Sequence, residues 1–130
     1  MTKQEIEKFK RIKQNIEIDK IKVNDLGGIC PRQIEFYFDN IKIGYLRVRY
    51  GSITLCPSTF QKSKDKMIFD IDYWYCIYCN DFGDFGDGNF INEKQEINTI
   101  LKCKQVLVDF YKNEYDGEII IPIWEKIKRI

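Results

Sequence analysis

The stretch "RQIEFYFDNIKIGYLRVRYG", Arg32 to Gly51, carries the strongest local signal in the chain. Ile34, Phe36 and Phe38 alternate with polar residues, the period of a strand that buries one face. Asp39-Asn40 then supplies a tight two-residue turn, because both residue types tolerate positive φ. Ile41 and Ile43 alternate on the return. At Gly44-Tyr45 the phase slips, and Leu46, Val48 and Tyr50 carry the apolar side instead. A β-bulge at Gly44 restores one continuous core face. Without the bulge, the second half of the strand would turn its apolar residues to water. With it, Lys42, Arg47 and Arg49 point away from the core.

Working outward, residues 3–15 place Ile6, Phe9, Ile12 and Ile16 at spacings of three and four among charged residues, which predicts a short amphipathic helix. A first strand is expected near 19–24, ended by "NDLGG". "GSITLCP" predicts a short strand stopped by Pro57, and "STFQKSKDK" an exposed loop. "MIFDIDYWYCIYC" predicts a long strand with apolar residues on both faces, hence a central strand or one that meets a partner. Residues 93–115 predict the main helix, with Ile97, Ile100, Leu101, Leu107, Val108 and Tyr111 as its buried stripe and Asp116-Gly117 as its stop. "EIIIPIW" predicts a final short strand, placed at an edge by Pro122. The expected architecture is α+β: an antiparallel sheet of four to five strands, a long C-terminal helix packed on one face and a short N-terminal helix.

Composition bounds the function classes. The chain has 130 residues, 44% hydrophobic and 15% aromatic, which suits a single folded domain over 1–130. Its 21 basic and 20 acidic residues give a net charge of +1, so bulk charge does not drive it onto nucleic acid. The opening "MTKQEIEKFKRIKQ" is too charged for a secretory signal, and no apolar run has the length of a membrane span. A cytoplasmic location follows as the expectation, with the five cysteines reduced. The chain contains no histidine. That removes Ser-His-Asp and Cys-His nucleophile pairs, histidine general bases and imidazole metal sites. The expectation is a non-enzymatic protein with no metal or cofactor.

Between Cys79 and Gln95 the sequence reads "CNDFGDFGDGNFINEKQ". A calcium loop in the register that puts Ile91 at its hydrophobic eighth position fails, because Gly86 and Gly88 then stand where ligand oxygens belong. Two readings remain open. In the first, Asn92 caps the main helix with Gln95 three residues on, and the phenylalanines anchor the loop. In the second, Phe82 stacks on a base and Asn92 pairs with an adenine-like edge, with Arg47, Arg49 and Arg32 as cations for phosphates. Cross-strand pairing with Glu35, Asp70 or Asp72 is the alternative use of Arg47 and Arg49. Cys76 and Cys79 stand on opposite faces of a strand, which argues against one shared metal. Asp70 and Asp72 share a face and are the residues a carboxylate hydrolase would use.

"LGGICPRQIEFYFDNIKIGYLRVRYGSITL" resembles a pattern in small bacterial and phage proteins, with Gly27, Gly28, Cys30, Pro31 and Gln33 matching a Gly-Gly-x-Cys-Pro-x-Gln segment and Arg47, Arg49 and Gly51 the following strand. Among these the chain looks most like the Thoeris anti-defence sponges. That resemblance implies a cytoplasmic homo-oligomer that sequesters cyclic ADP-ribose-type immune signals, with Phe82 stacking on adenine, Asn92 reading its edge and arginines holding the diphosphate. The other reading of the chain is a protein-directed inhibitor of a host defence protein, an anti-CRISPR or an immunity protein, with Trp74 and Tyr78 as its interface.

Overall fold

The computed structural model describes residues 3–28, 31–49, 52–63, 66–71, 77–79 and 89–114. Helix α1 (Lys3–Asn15) leads through a 3₁₀ turn (Ile18–Lys20) into the strands β1 (Lys22–Gly27), β2 (Arg32–Phe38), β3 (Ile41–Arg49), β4 (Ser52–Ser63), β5 (Lys66–Ile71) and β6 (Ile77–Cys79), followed by helix α2 (Glu93–Asp109) and one π-helical turn (Phe110–Glu114). The strands are antiparallel in the order β1-β2-β3-β4-β5, with β6 added beside β4. The class is α+β, as the patterning predicts.

The β2–β3 hairpin forms where the alternation places it. Asp39 and Asn40 have φ of 51° and 63°, the paired positive values of a type I′ turn. The register shifts between Phe36↔Gly44 and Tyr37↔Lys42, so Ile43 and Gly44 together face one residue of β2. This bulge puts Ile43, Leu46 and Val48 on one buried face with Ile34, Phe36 and Phe38. Gly44 is required there: a Cβ on it would stand 2.8 Å from Leu107 Cδ1 of α2.

Pro57 does not end β4. The strand runs twelve residues from Ser52 to Ser63, so "STFQKS" is strand rather than loop. The missing proline N–H falls where β4 changes partner: residues 52–57 pair with β3 and 58–63 with β5. At that junction β3 bulges and β4 has no further direct ladder to it. Side chains fill the gap. Ser58 Oγ donates to the Lys42 carbonyl at 2.7 Å, and the buried Tyr111 hydroxyl lies 2.6 Å from the Ile43 carbonyl and accepts from Ser58 N–H at 2.9 Å.

The core lies between this sheet face and both helices. Phe9, Ile12 and Ile16 of α1 are buried. Phe9, Phe60 and Phe69 pack edge to face at centroid distances of 5.7 and 5.3 Å, tying α1 to the β4–β5 hairpin. Glu5 accepts from the Phe69 N–H at 3.0 Å, which satisfies a donor of the edge strand β5.

Two further expectations are corrected, and a third falls partly outside the described residues. The first strand begins at Lys22 rather than 19, because Ile18–Lys20 form a 3₁₀ turn. Both ends of the predicted long strand are strand, β5 and β6, each paired with β4, and 72–76 between them lie outside the described residues. Helix α2 starts at Glu93 as expected but is rotated from the predicted stripe. Thr99, Cys103 and Leu107 face the core, while Ile97 and Leu101 are 58% and 52% exposed. The helix carries two apolar stripes, and the Leu107 contact with Gly44 selects the one at 99, 103 and 107. Its expected stop at Asp116-Gly117 and the final strand with Pro122 lie outside the described residues. Among the described residues no helix is long and apolar enough to cross a membrane.

Candidate functional site

Alternation along β3 sends Tyr45 and Arg47 to the sheet face opposite α2. Cross-strand register then sets their neighbours. Arg47 lies between Gln33 on β2 and Thr54 on β4, and Tyr45 lies between Glu35 and Cys56. The side chains of this face are half-buried rather than fully exposed. Tyr45 donates to Gln33 Oε1 at 2.6 Å.

Glu35 is the hub of the adjoining row. Its Oε1 accepts from Asn24 and from the Tyr37 hydroxyl, each at 3.0 Å, and its Oε2 lies 3.1 Å from Lys42 Nζ. Burial pushes the Glu35 carboxyl up, but the hydrogen bonds from Asn24, Lys42 and Tyr37 outweigh it, and the pKa falls below the usual glutamate value. Burial alone would lower Lys42, yet the Glu35 partnership holds its pKa above the ordinary one. Burial and then the Glu35 charge raise the Tyr37 phenol. A carboxylate held ionised beside an ammonium held protonated suits recognition, because proton transfer near neutral pH needs the opposite shifts.

Glu35 is thus committed to Lys42, and the ion pairing that the sequence offers Arg47 is not made with it. Register is the reason, since Glu35 stands opposite Tyr45 rather than Arg47. Among the described residues the buried Arg47 Nε has no hydrogen-bond partner. A buried guanidinium donor left unpaired costs about 1–3 kcal/mol, so a polar group that accepts from it gains correspondingly.

Arg32 lies on the other face. It stands opposite the buried Val48 and reaches toward α2. Its fork donates to Asp25 through Nε and Nη2, to Asn89 Oδ1 at 3.1 Å and to Glu96 Oε1 at 2.7 Å, and the guanidinium sits 5.8 Å over the Phe90 ring. It therefore clamps β1, β2 and the start of α2 together. An anion at Arg32 would have to displace two carboxylates. The hydrogen bond from Arg32 pulls the Asp25 carboxyl below its ordinary value, against burial that raises it. A depressed carboxylate stabilises the fold above its unfolded pKa, and that contribution disappears as pH falls through the folded pKa. Arg32→Gln is expected to lower the urea midpoint at pH 7, and the gap from wild type should narrow toward pH 3.

Asn92 is the N-cap of α2, as the spacing predicts. Its Oδ1 accepts from Gln95 N–H at 2.8 Å, while Gln95 Oε1 accepts from Ile91 N–H at 2.7 Å. The cap uses the amide oxygen and leaves the amide nitrogen for another partner. Asn92 and Arg32 thus belong to the helix side of the sheet, and Arg47 to the opposite side; the fold does not gather them into one cluster. Arg49 pairs through its backbone with Ser52 and Tyr78 with Thr54, but their side chains lie outside the described residues, as do Phe82, Trp74, Asp72 and the aspartates of the glycine-rich loop. Asp70 is exposed and accepts from the Ile71 N–H.

Sequence patterning singled out Arg47 but not the Glu35–Tyr37–Lys42 network beside it. The hairpin register was the signal available, since the two-residue turn sets Lys42 opposite Tyr37 and the bulge sets Tyr45 opposite Glu35. The expectation of five reduced cysteines is corrected at Cys56, which is disulfide-bonded. Cys103 is a buried thiol outside any disulfide. Among the described residues no three His, Cys, Asp or Glu side chains converge on a metal position. Comparison with protein families, curated proteins and solved structures finds no match to this chain.

Proposed function

We propose that the protein is a non-enzymatic binding protein that sequesters a cyclic nucleotide-type signal, in its most specific form a cyclic ADP-ribose isomer. The observation that carries this reading is the buried Nε of Arg47, which has no partner among the described residues, on a half-buried polar sheet face. A phosphate oxygen is a fitting acceptor for that donor, because guanidinium–phosphate bonds are charge-assisted and planar. Gln33 and Tyr45 stand beside it to bind hydroxyls or ring nitrogens. The neighbouring Glu35–Lys42 pair is held in its charged form, which fits holding a ligand without transforming it.

The test is calorimetry of wild type and Arg47→Gln with cyclic ADP-ribose isomers and cyclic dinucleotides. Wild type is expected to bind one of them, and Arg47→Gln to weaken that binding tenfold or more, the effect of losing about 1.5–3 kcal/mol of charge-assisted hydrogen bonding. Absence of binding to every nucleotide tried would overturn the reading. A stoichiometric host protein recovered with the chain, and no nucleotide, would favour the protein-directed inhibitor instead.

A further inference from the structure

A cavity of about 520 Å³ opens at the turn end of the sheet, where four elements meet. Helix α1 supplies Arg11 and Asn15 from successive turns, and the 3₁₀ turn supplies Asp19 and Lys20. Strand β1 begins there with Lys22, and the β2–β3 turn adds Asp39. The buried Phe38 also lines it. Arg47 stands on the order of 20 Å away along β3 at the strand rise, so this cavity is separate from the polar face.

Its chemistry is two-sided. Arg11, Lys20 and Lys22 bring three cations, Asp19 and Asp39 two carboxylates, and Asn15 an amide. The cations are loosely committed. Arg11 meets Asp39 at 3.3 Å and Lys20 meets Glu17 at 3.8 Å, and every side chain in these pairs is more than half exposed. Exposed pairs of this length stabilise little, so an anion exchanges for the carboxylate at small cost. Among the described residues Lys22 makes no ion pair. The acceptors are better fixed. Asn15 donates through Nδ2 to the Arg11 carbonyl at 3.1 Å, which orients the amide and leaves Oδ1 to accept. Asp39 stands on a type I′ turn whose backbone its φ of 51° defines.

We propose that this cavity binds a phosphorylated sugar. The phosphate dianion answers the three cations, and the sugar hydroxyls donate to Asp19, Asp39 and Asn15 Oδ1. Neither half of such a ligand suffices. Inorganic phosphate would face two carboxylates with no hydroxyls between, and a neutral sugar would leave the cations without a counter-charge. The volume is within the range of small-molecule sites and admits a pentose or hexose phosphate.

Amide NMR of the full chain tests this, titrating ribose 5-phosphate, AMP, ribose and inorganic phosphate in turn to about 10 mM. Ribose 5-phosphate is expected to shift the amides of 11–22 and 38–40 and to bind at least tenfold tighter than ribose or phosphate. AMP distinguishes the source: tighter binding than ribose 5-phosphate supports the proposal with a nucleotide as the ligand, and equal or weaker binding supports it with a free sugar phosphate. Lys22→Gln, at an exposed position, should weaken ribose 5-phosphate tenfold or more with the urea midpoint unchanged. Asp39→Asn keeps a residue type that tolerates positive φ and should close the gap between ribose 5-phosphate and inorganic phosphate. No shift at these amides, or equal affinity for inorganic phosphate or ribose, overturns the proposal. So does binding that Arg47→Gln abolishes and Lys22→Gln leaves unchanged, since the phosphate would then lie on the polar face.

Discussion

Tyr111→Phe is expected to destabilise the fold by about 2–4 kcal/mol although it removes a single oxygen. The ring stays, with its 5.0 Å edge contact to Phe110 and its 6.2 Å contact to Phe69, so apolar burial changes little. What disappears is the buried hydroxyl that joins Ser58 N–H to the carbonyl of Ile43 at the bulge. Both backbone groups lie at the junction where β4 leaves β3, out of reach of a ladder partner. Each left unsatisfied costs about 1–3 kcal/mol, and the two are not strictly additive. A urea titration measures the difference. A loss below about 1 kcal/mol would mean that water or a ladder shift replaces the phenol. Ser58→Ala, which removes only the bond to Lys42, should cost about 1 kcal/mol.

The second large effect is at the contact between α2 and the bulge. Leu107→Ala should cost about 2–5 kcal/mol, as for other fully buried leucines. Gly44→Ala should cost about 1–3 kcal/mol by itself, because its new Cβ would stand 2.8 and 3.0 Å from the two Leu107 methyls. Combined, the two substitutions should not add. The new methyl occupies part of the space that Leu107→Ala vacates, and alanine suits a strand better than glycine does. Gly44→Ala is therefore expected to be neutral or stabilising in the Leu107→Ala background. Additive losses would show that Gly44 is needed for its backbone conformation rather than for room beneath α2.

These residues also show what the sequence makes legible. The hairpin, the turn at Asp39-Asn40 and the bulge at Gly44 follow from period-two alternation and its one slip. The cap at Asn92 follows from residue type and spacing. Pro57 misled because a proline can pass through a strand when its missing N–H falls at a change of partner. The orientation of α2 was ambiguous for a different reason. Apolar residues at 97, 100, 101, 103, 106, 107 and 108 serve two stripes, and a contact distant in sequence chooses between them. The same limit applies to the candidate site. Alternation assigns Arg47 to a face, but the register of the hairpin gives Glu35 to Lys42 and leaves the Arg47 Nε without a partner among the described residues. Arg32 and Arg47 look alike in sequence, yet opposite parity on paired strands sends them to opposite faces.

Native mass spectrometry of the purified protein, wild type beside Arg47→Gln, tests the proposed function most directly. Wild type is expected to carry or take up a nucleotide-type ligand, retained in the gas phase as a discrete mass increment. Arg47→Gln, with Gln33, Tyr45 and the fold otherwise intact, should lose most of that increment. A wild-type spectrum that stays at the bare chain mass after incubation with cyclic ADP-ribose isomers and cyclic dinucleotides, or an increment unchanged by Arg47→Gln, would contradict it.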